Sequence, residues 1–325
     1  MVFTPGVSTS SFRNTSARTV RGYLLIASAG LWWGISATLG RAAFTGKLFA
    51  GAIHSIDPLI IAQTRTTISL LALAPIVLIR RGPQAFRMGR RDLGLSLALG
   101  VLGVAFSNYF YYLSIQKTNV ATAITLQYMA PILVLLYMVA RRQQRATPRR
   151  VGSVLLAVFG IALTVGLIGG GQFRISLTGF VVAELSAAAF AYYSVAAGDL
   201  LQRHDRWRVL VMSLLAAALF WLVVNPPWKI IAAHYSGQEW LFLMVFAITS
   251  VLLPSSFYFG GLQCLDPTRA IVTSCLEPVF SIAIAAATLG ERLGVMQFIG
   301  ISVVLVASIT VQLPEKNLTQ KGSSS

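Results

Sequence analysis

An all-α membrane protein of ten transmembrane helices, built as two inverted five-helix repeats, is the fold class this sequence predicts, and three observations carry it. Of the 325 residues, 56% are hydrophobic and only 11% charged, with a mean hydropathy of +0.72. Soluble domains carry about 25% charged residues. The apolar residues collect in ten stretches of roughly 20, the length an α-helix rising about 1.5 Å per residue needs to cross a bilayer. The short alternating segments of a barrel are absent from the sequence. Finally, the chain repeats itself at a shift of 147 positions.

The repeat is clearest around residues 263–291, QCLDPTRAIVTSCLEPVFSIAIAAATLGE, of which 263–287 fall on 116–140, QKTNVATAITLQYMAPILVLLYMVA. Pro278 falls on Pro131, Ala270 on Ala123, Asp266 on Asn119 and Gln263 on Gln116. Upstream, Phe257-Tyr258-Phe259 falls on Phe110-Tyr111-Tyr112 without a gap.

Taken in order, the first span (22–44) opens at Gly22-Tyr23 and carries Trp32-Trp33-Gly34. The second (58–79) ends in the basic turn Arg80-Arg81-Gly82-Pro83, and the third (93–115) is rich in aromatic residues. The fourth (119–140) contains Pro131 and stops at Arg141-Arg142, and the fifth (150–168) runs into Gly169-Gly170-Gly171. The sixth (177–199) opens at Gly179-Phe180 as the first does at Gly22-Tyr23, so that Trp33-Gly34 falls on Phe190-Ala191. Asn225-Pro226-Pro227 stops the seventh (208–225), because proline cannot continue the helical ladder. The eighth is 240–263, the ninth (268–289) holds Glu277-Pro278, and the tenth (294–313) carries Gly300, which matches Gly152 in the fifth once a one-residue shift is allowed. This divides the chain into a tail (1–21), a first repeat (22–168), a second repeat (177–313) and a second tail (314–325).

The net charge of +16 does not point to nucleic acid, because of where the charges lie. Of the 26 lysines and arginines, 18 fall in the two tails and in the loops after the second, fourth and sixth spans. The opposite loops hold only Lys47, Lys117, Arg174, Lys229 and Arg292, while Arg41, Arg65 and Arg269 sit within or at the edges of spans. This asymmetry predicts a multi-pass protein of the cell inner membrane with both termini cytoplasmic, its arginine runs anchored among lipid headgroups. Residues 1–21 are polar and contain arginine, so no cleavable signal peptide is expected. Cys264 and Cys275, the only cysteines, are too few for a disulfide framework or a metal cluster.

Five spans per unit is an odd number, so the second unit enters the membrane from the other side, the layout of many secondary transporters. Trp32-Trp33-Gly34, Leu276-Glu277-Pro278-Val279-Phe280 and Leu289-Gly290-Glu291-Arg292-Leu293 followed by Gly300 resemble the EamA family of the drug/metabolite transporter superfamily, over essentially the whole chain. Within it, the size and the aromatic third span resemble the aromatic amino-acid exporters of the YddG kind. The resemblance implies an exporter of amino acids, aromatic ones included, or of similar small metabolites, working by alternating access. It also implies spans one, three, four, six, eight and nine around a cavity. The first half has Gln143-Gln144 where the second has Gly290-Glu291, so the halves differ.

Polar groups inside a bilayer are costly unless they face a cavity or a partner. Asn108, Tyr111 and Tyr112 share one face of the third span, and Ser255, Tyr258 and Phe259 the matching face of the eighth. Such faces line a substrate path or anchor at the interface. Thr122 and Thr125 lie along the fourth span, with Gln127 and Tyr128 nearby, either lining a cavity or bonding their own helix. Trp33 and Ser36 share a face of the first span, as substrate platform or packing, and the sixth carries Tyr192 and Tyr193. Glu184 and Glu277 are the candidate proton-coupling carboxyls, with structural pairing as the competing account. Arg65, amid Gln63, Thr64, Thr66 and Thr67, is read first as a structural cation and second as a carboxylate partner. Pro131 and Pro278 free backbone carbonyls in equivalent helices and are candidate gating bends.

Other classes fit less well. His54, His204 and His234 fall in loops, so no Ser–His dyad or His-based metal site is expected within the spans, and no enzyme. No ring of charge or filter loop marks a channel, and no Walker-type loop an ATPase. No cofactor is expected; the partners are a small-molecule substrate and membrane lipid, and one copy of the chain suffices. A nucleotide-sugar or organophosphate carrier, or a multidrug exporter of the same superfamily, is the alternative. The former calls for fixed cations deep in the cavity, where this sequence offers only Arg65.

Overall fold

The computed structural model describes residues 9–44, 57–118, 120–164, 176–232, 234–289 and 294–312. Expectations placed on His54, on residues 169–171 and 290–293 and on the second tail lie outside these, as does the side chain of Thr122.

Ten long helices form one bundle: α1 Thr9–Phe44, α2 Pro58–Arg81, α3 Arg90–Lys117, α4 Ala123–Ala140, α5 Pro148–Thr164, α6 Leu177–Leu201, α7 Arg206–Val224, α8 Gly237–Leu262, α9 Pro267–Thr288 and α10 Val295–Gln312. Among the described residues, nine of these helices are long and apolar enough to cross a membrane; α5, with 17 described residues, is one short of the 18 that mark the others. The lipid-facing surface follows from the apolar side chains that the bundle leaves outside, among them Leu71 and Ile79 on α2, Leu155 and Phe159 on α5, and Phe298 and Ile309 on α10.

Local signals set the helix starts. Asp57 accepts from the Leu59 amide ahead of Pro58, and Asp266 from the Arg269 amide ahead of Pro267. Ser176 caps α6, and Ser236 with Glu239 forms a reciprocal capping box on α8. Gly82, at φ 68°, ends α2 in a conformation that favours glycine. α1 begins at Thr9, inside the segment that hydropathy assigns to a polar tail. No proline or glycine interrupts residues 9–21, so the helix continues past the apolar stretch.

The contacts between helices give the symmetry. α1 runs antiparallel to α8, with Gly22 against Leu265 and Ile26 against Gly261, and α6 runs antiparallel to α3, with Gly179 against Thr118 and Tyr193 against Gly103. α5 and α10 cross with Gly160 against Val304 and Gly300 against Thr164. α2 meets α7 end to end, Gln63 with Asn225 and Arg81 with Asp205. α1 and α9, by contrast, run parallel: a Cβ on Gly34 would lie 2.8 Å from the Ser281 amide, so only glycine allows this approach. The α1–α8 and α3–α6 pairings exchange with one another when the halves are exchanged, and the α2–α7 and α5–α10 pairings map onto themselves, as an inverted repeat requires.

The backbone irregularities are paired as well. α3 widens to a π-helix at Leu99–Ala105 and α8 at Ile248–Leu252, positions that overlap at the 147-residue shift. α4 and α9 break just before their prolines, with Met129 N donating to Leu126 O at 3.0 Å and Leu276 N to Thr273 O at 3.1 Å. These are the same bond in the two repeats. Beneath the arginine-rich loops the bundle is packed by one large core, built on Tyr23, Ile26, Leu99, Leu200, Leu210, Tyr258 and Phe259. The opposite half holds the cavity.

Candidate functional site

The cavity encloses about 360 Å³ between α1, α2, α3, α4, α6, α8 and α9. Its apolar wall starts from a contact between repeat-related residues. Trp33 meets Phe190 edge to face at 6.0 Å and 82°, which puts the pseudo-two-fold axis between the two rings. Tyr193 stacks on Tyr258 at 5.8 Å behind them, and Phe259 backs Tyr193 at 5.3 Å.

The charged residues on the wall are Arg65 and Glu277. Arg65 is 5% exposed and held from three sides. Nε donates to Ser250 Oγ at 2.7 Å, Nη1 to the Tyr112 hydroxyl at 2.6 Å and Nη2 to the Ser250 carbonyl at 3.1 Å. Its guanidinium carbon lies 5.0 Å from the ring centroids of both Tyr112 and Phe246, two cation–π contacts. Three of its five N–H donors are used, so two are left for a ligand.

Glu277 opens the second half of α9 and accepts from the Tyr128 hydroxyl at 2.7 Å. Pro278 has no amide to give the Ser274 carbonyl, and the Tyr128 hydroxyl lies 3.3 Å from that oxygen too. One phenol thus serves both the freed carbonyl and the carboxylate. Gln127 Nε2 donates to Ser186 Oγ at 3.0 Å, and Ser186 to the Ser107 carbonyl at 3.3 Å, tying α4, α6 and α3 together at the wall. The Tyr193 hydroxyl is buried and approaches Ser255 without hydrogen-bond geometry.

Of the residues singled out from sequence, Trp33, Ser36, Asn108, Tyr111, Tyr112, Tyr193, Ser255 and Glu277 line this one cavity. Tyr258 and Phe259 do not: both are fully buried behind the wall, where Tyr258 hydrogen-bonds Ser194 at 2.8 Å. Tyr192 and Glu184 are half-buried away from the cavity, and Thr125 is buried within the bundle. Pro131 and Pro278 sit at the paired breaks. Arg65, read first as structural, lines the cavity, as do Gln127 and Tyr128, while Phe190, Phe246 and Ser250 join it without having been named as candidates. Among the described residues no group of histidine, cysteine or carboxylate side chains is placed to hold a metal ion.

Two inverted repeats around a central cavity are the architecture of a membrane transporter. The profile of the EamA-like transporter family matches residues 20–166 and again 177–312, and the chain belongs to that family. Among curated proteins, it is 29% identical to the threonine/homoserine exporter RhtA of Salmonella typhimurium (strain SL1344) over 265 residues, 80% of this chain and 85% of that one. The RhtA of Escherichia coli (strain K12) is 28% identical over the same coverage. The uncharacterized transporter YcbK of Bacillus subtilis (strain 168) is 25% identical over 69% of this chain and 74% of its own. A solved crystal structure superposes with a TM-score of 0.71 at 19% identity, covering 91% of this chain and 96% of that one, a likeness of fold.

Proposed function

We propose that this chain exports amino acids across the inner membrane by alternating access, the zwitterion lying between Arg65 and Glu277. The observation that carries the reading is that one cavity holds one fixed cation and one carboxylate, on helices of different repeats, and is lined with aromatic side chains. The guanidinium fork suits an α-carboxylate. The carboxylate suits an α-ammonium, and the rings suit the side chain, so aromatic amino acids fit beside small ones. The names of the RhtA relatives point to amino-acid export, while the aromatic preference rests on the wall alone. An organophosphate would need more positive charge than one arginine balanced by one glutamate.

Alternating access draws on the asymmetry of the bundle, open at the cavity and filled by core at the arginine-rich end. Rocking about the breaks before Pro131 and Pro278 would exchange the two. Orientation follows the arginines, with both termini cytoplasmic. Cysteines placed at Arg87 and Lys229, on a background lacking Cys264 and Cys275, are expected to label from opposite sides of intact cells. Labelling of both from outside contradicts the orientation.

The substrate reading is tested in proteoliposomes loaded with labelled threonine, homoserine or tryptophan. Counterflow of amino acids is expected, with competition by free amino acids and roughly tenfold weaker competition by their amides, which lack the carboxylate. Equal competition by acids and amides would remove the zwitterion from the site.

A further inference from the structure

A second cavity, of about 890 Å³, lies at the other end of the bundle, among the arginine-rich loops. Arg18 and Arg21 of α1, Arg81 in the last turn of α2 and Arg206 in the first turn of α7 line it. Asp205, the one carboxylate on its wall, is already engaged: it pairs with Arg81 and accepts from the Trp207 amide at 2.9 Å. Arg18 donates to the Gln263 carbonyl at 2.7 Å. Among the described residues, no carboxylate is within ion-pair distance of Arg18, Arg21 or Arg206; the nearby Asp92 and Asp199 are held by Arg203. Arg206 is built into place. Its guanidinium lies 4.7 Å from the Trp207 ring centroid and against Gly260 of α8, where a Cβ would come within 2.6 Å of Nη1.

We propose that this cavity binds a phosphate group, presented by the headgroup of an anionic inner-leaflet phospholipid or by free phosphate. Guanidinium forks match phosphate oxygens two at a time, and three of these arginines lack an anionic partner. Leu25, Trp207 and Leu262 on the same wall give an apolar margin at headgroup depth. Basic pockets between helices on the cytoplasmic side are suited to phosphorylated headgroups. The arginines come from α1, α2 and α7 and the floor from α8, so the phosphate bridges both repeats on the closed side of the bundle. It thereby favours the arrangement with that side shut.

The test uses the purified full chain in nanodiscs of phosphatidylcholine with phosphatidylglycerol, or of phosphatidylcholine alone titrated with inorganic phosphate. The Arg18→Gln/Arg21→Gln/Arg206→Gln variant is compared with Arg87→Gln/Arg141→Gln/Arg145→Gln, which removes equal charge outside the cavity. Native mass spectrometry is expected to show phosphatidylglycerol retained by wild type and control and reduced roughly tenfold in the cavity variant. An unfolding midpoint that rises with inorganic phosphate in wild type and control, and not in the cavity variant, assigns the site to free phosphate instead. Arg21→Gln alone, at an exposed residue, is expected to lower retention or phosphate response about threefold, and keeps the test decisive if the triple variant does not fold. Equal retention and equal phosphate response in all proteins, or equal loss in cavity variant and control, overturns the site.

Discussion

Arg65→Gln is expected to lower amino-acid transport about ten- to a hundredfold while leaving the protein in the membrane. A hydrogen bond to a charged group contributes about 1.5–3 kcal/mol, and the two spare N–H donors of Arg65 are the ones a carboxylate would take. The substitution also removes donors from Ser250 and the Tyr112 hydroxyl, so Arg65→Lys is the companion variant. Lysine keeps the charge without the fork and should recover only part of the rate. The readout that separates recognition from packing is selectivity: wild type should prefer acids to amides, and Arg65→Gln should lose that preference. Full transport with intact selectivity in Arg65→Gln would return Arg65 to a structural role.

Glu277→Gln is expected to keep substrate exchange at roughly tenfold weaker apparent affinity and to lose the response to an imposed pH gradient. A single carboxylate cannot hold a proton and an ammonium ion pair at once. Proton and substrate would therefore take turns at Glu277, which is the minimum requirement of antiport. Glutamine keeps the size of the side chain and still accepts from Tyr128, but it does not titrate. Unchanged pH-driven accumulation in Glu277→Gln proteoliposomes would remove this residue from coupling and leave it as the partner of the Tyr128 hydroxyl.

The parts of this molecule that sequence makes legible are those whose causes are local. Span lengths, the turn at Gly82 and the breaks before Pro131 and Pro278 all follow from residues within a few positions of the event. The orientation of side chains is different. Tyr192 and Tyr193 are about 100° apart on one helix, and contacts from α3, including Gly103, decide which faces the cavity. Tyr258 and Phe259 repeat the pattern of Tyr111 and Tyr112, yet the former are buried because their end of the bundle is closed. A repeat predicts equivalent folds, not equivalent exposure, when one end of the bundle is open and the other closed. The cavity-facing position of Arg65 was out of reach because its partners Tyr112 and Ser250 lie 47 and 185 positions away.

The contact of Trp33 with Phe190 has an implication for how such a molecule arose. Two identical five-helix chains, inverted about an axis through those rings, would present the same residue on each side of it. A site with that symmetry has no dipole across its axis and cannot distinguish the two ends of a zwitterion. With both halves in one polypeptide, each side of the axis could diverge separately, with tryptophan in one repeat where the other has phenylalanine, and Glu277 in one where the other has Ala130. Fusion of the two halves would, in this light, allow a zwitterion of the kind proposed above to be held in one orientation.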